Sequence, residues 1–139
     1  MSQANQDSPK AFNLHTKGIG YFNRIRQVTP RKGQPFWSVE VNCLHGNDGE
    51  STRFDCKVVG QETINLFDKH LAEVGKDDTI IASVVMSDIY LHQFIYQKGA
   101  KAGEPGACIK GRLLDVKYLK VNGQVVHSTK LQTADTHAA

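Results

Sequence analysis

The sequence predicts an all-β domain with a single helix, and three observations lead there. Two stretches, Phe36 to Leu44 and Thr52 to Val59, alternate between apolar and polar residues with a period of two. One segment, Gln61 to Val74, switches to spacings of three and four, with Ile64, Phe67, Leu71 and Val74 on one side. The rest of the apolar material lies in long strand-like runs separated by Gly-, Pro- and Asn-containing turns.

Gly18 to Val28 is the first strand, with glycines that permit bending. Thr29–Gln34 is a turn-rich, basic loop that leads through Pro35 into strand 2. In strand 2, Trp37, Val39, Val41 and Cys43 share one face. In strand 3, Phe54, Cys56 and Val58 oppose Arg53, Asp55 and Lys57. The short loop His45 to Glu50 makes the two a hairpin. The helix of about four turns ends at Gly75, a reasonable stop. Asp77 and Asp78 read as punctuation before the next strand. Thr79 to Gln97 is a long strand, bent or bulged near Met86 to Asp88, followed by a flexible basic loop, Lys98–Ala107. Cys108 to Val121 is the fifth strand. Asn122-Gly123 is the strongest hairpin signal, because a type I′ turn needs positive φ at both positions, and Gln124 to Thr129 pairs back as an extra strand.

Five strands with a helix between strands 3 and 4, plus an extra C-terminal hairpin strand, is the order of an OB-fold barrel. The expected domain spans residues 12–130, between a flexible arm over 1–11 and a flexible tail over 131–139.

At 139 residues the chain suits one domain. Hydrophobic residues are 40% and charged residues 22%, which excludes a disordered or collagen-like chain. No run approaches the roughly 18 apolar residues of a membrane span, and the N-terminus carries no signal-peptide pattern. Three cysteines, Cys43, Cys56 and Cys108, are an odd set without metal spacing, so a reduced, cytoplasmic protein is expected. The net charge of +3 is unevenly spread. Lys10 to Val39 carries six cations and no acid, Glu40 to Ile89 four cations and ten acids, and Lys98 to Lys130 seven cations and two acids. The basic stretches fall in or beside the two loops that flank the ligand face of an OB-fold. That coincidence points to a positive binding face.

The segment Gly18-Ile-Gly-Tyr-Phe-Asn-Arg-Ile-Arg, with Thr29-Pro-Arg-Lys-Gly and Pro35-Phe-Trp, carries a resemblance. Together with Thr52-Arg-Phe-Asp-Cys-Lys-Val-Val-Gly60 and Gly111-Arg-Leu-Leu, the run from Gly18 to Val121 resembles bacterial single-stranded DNA-binding proteins of the OB-fold. Residues 12 to 121 more closely resemble a replication-protein family of integrative and conjugative elements. The resemblance implies a binder of single-stranded DNA with little sequence preference, acting in replication or maintenance of a mobile element, assembled as a homo-oligomer and working with replication proteins. The resembled bacterial proteins end in an acidic, aromatic tail tip that recruits partners. The tail here has one acid, Asp135, so recruitment by that route is not expected.

Single-strand binding requires cations for phosphates and flat rings for unstacked bases. Tyr90, His92, Phe94 and Tyr96 share one strand face, and Ile89, Leu91 and Ile95 the other, which is expected to be core. The aromatic face suits base stacking, a subunit interface or ordinary core, and the three readings stay open. Trp37 suits either a core or capping role or stacking. Phe36 and Tyr21 are further platform candidates. The phosphate candidates are Arg24, Arg26, Arg31, Lys32, Lys98, Lys101, Lys110 and Arg112. No catalytic, cofactor or metal motif is recognisable: Gly18-x-Gly20 lacks a third glycine, and the histidines lack ligand spacing. A non-enzymatic protein without cofactor and without membrane attachment is expected. Alternatives are a replisome or primosome assembly module that binds another protein, and an RNA-binding OB-fold.

Overall fold

The structure, a computed structural model, describes residues 13–129. The arm and tail expected at the two ends lie outside the described residues. Strands β1 (His15–Val28), β2 (Phe36–Leu44), β3 (Ser51–Val58), β4 (Ile80–Ile95), β5 (Pro105–Val121) and β6 (Gln124–Ser128) follow in order. Helix α1 (Gln61–Leu66) stands between β3 and β4 and continues as a π-helical turn, Phe67–Leu71.

The sheet runs β3-β2-β1-β4-β5-β6, and β3 also pairs with β5. That last pairing is parallel, from Phe54↔Ile109 to Val58↔Leu113, and it joins the two ends of a five-stranded sheet into a ring. The fold is therefore an OB-type barrel, with β6 added beyond the ring by the Asn122-Gly123 turn. Both turn residues have positive φ, 50° and 85°, as a type I′ turn requires.

The alternation in β2 and β3 faces inward as the sequence implies: Val39, Val41, Cys56 and Val58 are all buried. Cys56 donates its S–H to Met86 Sδ at 3.5 Å, and burial pushes its thiol up to about 12, so it behaves as a small apolar residue. Gly20 lies tight against the β2 backbone. A Cβ there would collide with the backbone of Asn42 and Cys43.

The helix differs from expectation. It ends by Leu71, because residues beyond it form a turn in which the Asp78 carboxylate accepts the Gly75 N–H at 2.8 Å. Val74 is left outside the helix and only partly buried. Phe67 and Leu71 seal the barrel against Phe22 and Trp37, with ring centroids 5.6 Å (Phe22–Phe67) and 5.9 Å (Trp37–Phe67) apart.

β4 and β5 both run on past the strands that flank them in the ring. β1 stops pairing with β4 at His15↔Ser87, whereas β4 and β5 continue together to Ile95↔Pro105. The excess is a two-stranded ribbon standing clear of the ring. At its root the expected irregularity is found: the register shifts between Ser87 and Tyr90, and Asp88 has φ 52°. This is a β-bulge. The cross-strand Gly111 makes room for it, since a Cβ there would lie 2.8 Å from an Ile89 methyl carbon. One expectation is corrected here. The aliphatic face of this strand is not core: Ile89, Leu91 and Ile95 are 36%, 61% and 51% exposed. No third strand covers the ribbon once β1 and β3 have ended.

Candidate nucleic-acid interface

On the outer side of the barrel a groove of about 590 Å³ runs between the β1–β2–β3 face and the root of the ribbon. It is lined by Arg26 and Val28 from β1, Phe36 and Ser38 from β2, Asp55, Cys56 and Lys57 from β3, and Asp88, Tyr90, Lys110, Gly111 and Arg112 from the ribbon root. Apart from the buried Cys56 and Gly111 at its floor, these side chains occupy outward positions of alternating strands, and β3–β5 pairing sets Asp55 opposite Lys110 and Lys57 opposite Arg112.

A β-bulge in β1 aims Arg26. Arg24 and Ile25 together face one residue of β2, and Arg24 takes φ 50°. The Arg26 guanidinium then donates from Nη1 to the Arg24 carbonyl at 3.0 Å and from Nη2 to Asp55 Oδ1 at 3.3 Å. Ser38 Oγ donates to the Cys56 carbonyl at 3.2 Å. Lys57 Nζ stands 4.5 Å from the centre of the Phe36 ring, a cation–π contact. Arg112 Nε lies 3.4 Å from Asp88 Oδ2. The groove thus holds four cations, two carboxylates and two rings.

Beyond the root, the same face of the ribbon carries the aromatic stripe. Residues directly opposite in an antiparallel pair share a face, so Tyr90, His92 and Phe94 lie with Lys110, Cys108 and Gly106. His92 and Phe94 stack at 5.7 Å, and Phe94 meets Tyr96 edge-on at 5.1 Å. Both outer rings lie over Gly106: a Cβ there would come within 2.6 Å of Phe94 and 2.7 Å of Tyr96. At the tip, Lys101 Nζ is 5.5 Å from the Tyr96 ring.

Of the residues the sequence singles out, Arg26, Phe36, Tyr90, Lys110 and Arg112 meet in the groove. Phe94, Tyr96, Lys98 and Lys101 lie on the ribbon and its tip. Arg31 and Lys32 are exposed in the loop that leaves from Val28 and returns at Phe36, both groove residues. Arg24 points instead to Glu40, 3.2 Å away, and borders a separate cavity with Phe22 and Lys76. Tyr21 lines another depression with Asp77 and Asp78, apart from the groove. Trp37 is a correction. It is 7% exposed, packs on Phe67 and donates its indole N–H to Asp68 Oδ1 at 2.8 Å. An inward position of β2 beside the helix leaves its ring no face for a base.

The family described as "Protein of unknown function (DUF3577)" matches residues 5–135. The chain belongs to this family. Among curated proteins nothing matches this DUF3577 member. Among solved structures it is similar to the mitochondrial single-stranded DNA-binding protein Rim1 of S. cerevisiae, with 12% identity over 84% of this chain and 97% of that chain, at a TM-score of 0.43. The strand order and β3–β5 closure of the DUF3577 chain define its barrel. Among the described residues, no helix is long and apolar enough to cross a membrane, and no cluster of His, Cys, Asp or Glu could hold a metal ion.

Sequence reading did not single out Lys57, Asp55 or Asp88 as groove residues. For the first two the signal was present, in the outward positions Arg53, Asp55 and Lys57 of an alternating strand. What it lacked was the neighbour: only the barrel's closure shows that β3 borders the ribbon root.

Proposed function

We propose that this protein binds single-stranded DNA with little sequence preference. The strand's phosphates follow the groove, and its bases stack on Tyr90 and the ribbon rings. The observation that carries this reading is the convergence of Arg26, Lys57, Lys110 and Arg112 beside the exposed Tyr90 ring, from which half-buried aromatic rings continue along one ribbon face. Cations tracking a backbone next to π-faces is the chemistry of sequence-tolerant single-strand binding. The binding requires no catalysis, and the resemblance to conjugative-element replication proteins supports a role in replication or maintenance of a mobile element in the cytoplasm. The test is a titration of fluorescein-labelled oligo(dT), oligo(U) and duplex DNA followed by anisotropy, since Trp37 is buried and a poor reporter. Oligo(dT) is expected to bind best, with affinity falling steeply between about 50 and 200 mM salt as counterions compete. Equal binding of oligo(U) supports the RNA alternative instead. An affinity that is flat in salt removes the phosphate groove from the reading.

The ribbon rings supply a second expected outcome. Phe94→Ala should weaken oligo(dT) binding by about 1–3 kcal/mol while the melting temperature stays near wild type, because the ring lies outside the core cluster. Gly106→Ala should weaken it in the same direction, because its methyl group lifts both rings from the backbone on which they lie. Unchanged binding in both variants would show that bases do not stack on the ribbon.

The opposite ribbon face favours a second reading, a protein contact. Ile89, Leu91 and Ile95 are exposed together there, and a second copy of this chain is the partner we propose, giving a homo-oligomer. A replication protein on the same face would make the domain an assembly module. Light scattering at micromolar concentration is expected to give a multiple of the 15.4 kDa chain mass. A monomer mass would overturn self-assembly.

A further inference from the structure

A surface built for phosphates gains from every unpaired cation, since each neutralised phosphate releases a counterion. Yet two of the groove's four cations already have anionic partners. Arg26 Nη2 is 3.3 Å from Asp55 Oδ1, and Arg112 Nε is 3.4 Å from Asp88 Oδ2. Lys110 has no ion-pair partner among the described residues, and Lys57 rests on the Phe36 ring. Neither carboxylate is demanded by the local backbone. Asp88 occupies the positive-φ position of the ribbon bulge, where an asparagine serves as well. Asp55 is an outward residue of a regular strand.

We propose that Asp55 and Asp88 are built-in phosphate surrogates. They hold the two guanidinium groups in their binding positions in the free protein, and an incoming strand displaces them. The proposal rests on the single-strand reading above and deepens it by naming the ligand class the groove selects. An isolated phosphate only exchanges one anion for another at an arginine, with little net gain. A run of consecutive phosphates displaces both carboxylates and also reaches Lys57 and Lys110. The groove therefore favours an extended polyanionic strand over mononucleotides, and it holds that strand less tightly than four unpaired cations would.

The test uses labelled oligo(dT) binding across a salt series for the full chain, Asp88→Asn, Asp55→Asn, Arg112→Gln, and Asp88→Asn combined with Arg112→Gln. Each asparagine variant is expected to bind about two- to fivefold tighter at 50 mM salt. The slope of log affinity against log salt is expected to steepen by about 0.7 for each arginine freed. In the Arg112→Gln background the Asp88→Asn gain should vanish, which separates a pairwise effect from a mere change in net charge. Wild-type binding with unchanged affinity and slope in both asparagine variants overturns the surrogate role alone. A gain that persists without Arg112 also overturns it. Absence of oligo(dT) binding in the wild type and every variant overturns the single-strand reading, and the proposal with it.

Discussion

Reversing the two ribbon-root cations, Lys110→Glu with Arg112→Glu, is expected to weaken oligo(dT) binding on the order of a hundredfold at 50 mM salt and to flatten the salt slope by about 1.4. The two side chains project from one strand into the groove, so their reversal sets one acid opposite Asp55 and another beside Asp88. The fold should tolerate the change. Arg112 is 58% exposed, and its pair with Asp88 lies at the surface, where such interactions contribute little to stability. Circular dichroism and thermal melting should therefore match wild type while anisotropy shows the loss. Binding within about threefold of wild type, with the fold intact, would mean that phosphates do not pass through this groove, because reversing two phosphate-binding charges cannot cost so little. The loop pair Arg31 and Lys32 lies farther out and should have a smaller effect.

Phe67→Ala is expected to be the most destabilising single substitution in the barrel plug, by about 3–5 kcal/mol. Phe67 is fully buried and packs against both Phe22 and Trp37. Its removal leaves a cavity between a helical turn and two strands that the closed ring prevents from collapsing. Against a typical domain stability of about 5–15 kcal/mol, urea unfolding should shift to markedly lower denaturant. Phe67→Leu, which keeps much of the volume, should lose far less. A loss under about 1 kcal/mol for the alanine variant would show that the helix does not plug the barrel. The same packing explains why Trp37 is unavailable to a ligand: its ring completes the plug, and Asp68 from the helical turn takes its N–H.

What the sequence determined by itself is local and periodic. Alternation located β2 at Phe36–Leu44 to the residue and β3 to within one, because a half-buried strand writes its burial into every second side chain. Asn122-Gly123 announced its turn because few other pairs accept two positive φ values. The order of strands and helix was enough to name the barrel. The tertiary structure decided which faces are covered. Period two sorts side chains into two sets but cannot say where a neighbouring strand stops. Hence the aliphatic side of β4, apolar enough for a core, is exposed beyond Ser87, where β1 no longer pairs. The candidate site divides the same way. Its arginines, lysines and rings were legible as residue types, but Lys57, Asp55 and Asp88 joined them only through the parallel β3–β5 closure and the bulge at Asp88. Those are juxtapositions of residues distant in sequence, and no local pattern encodes the distance between them.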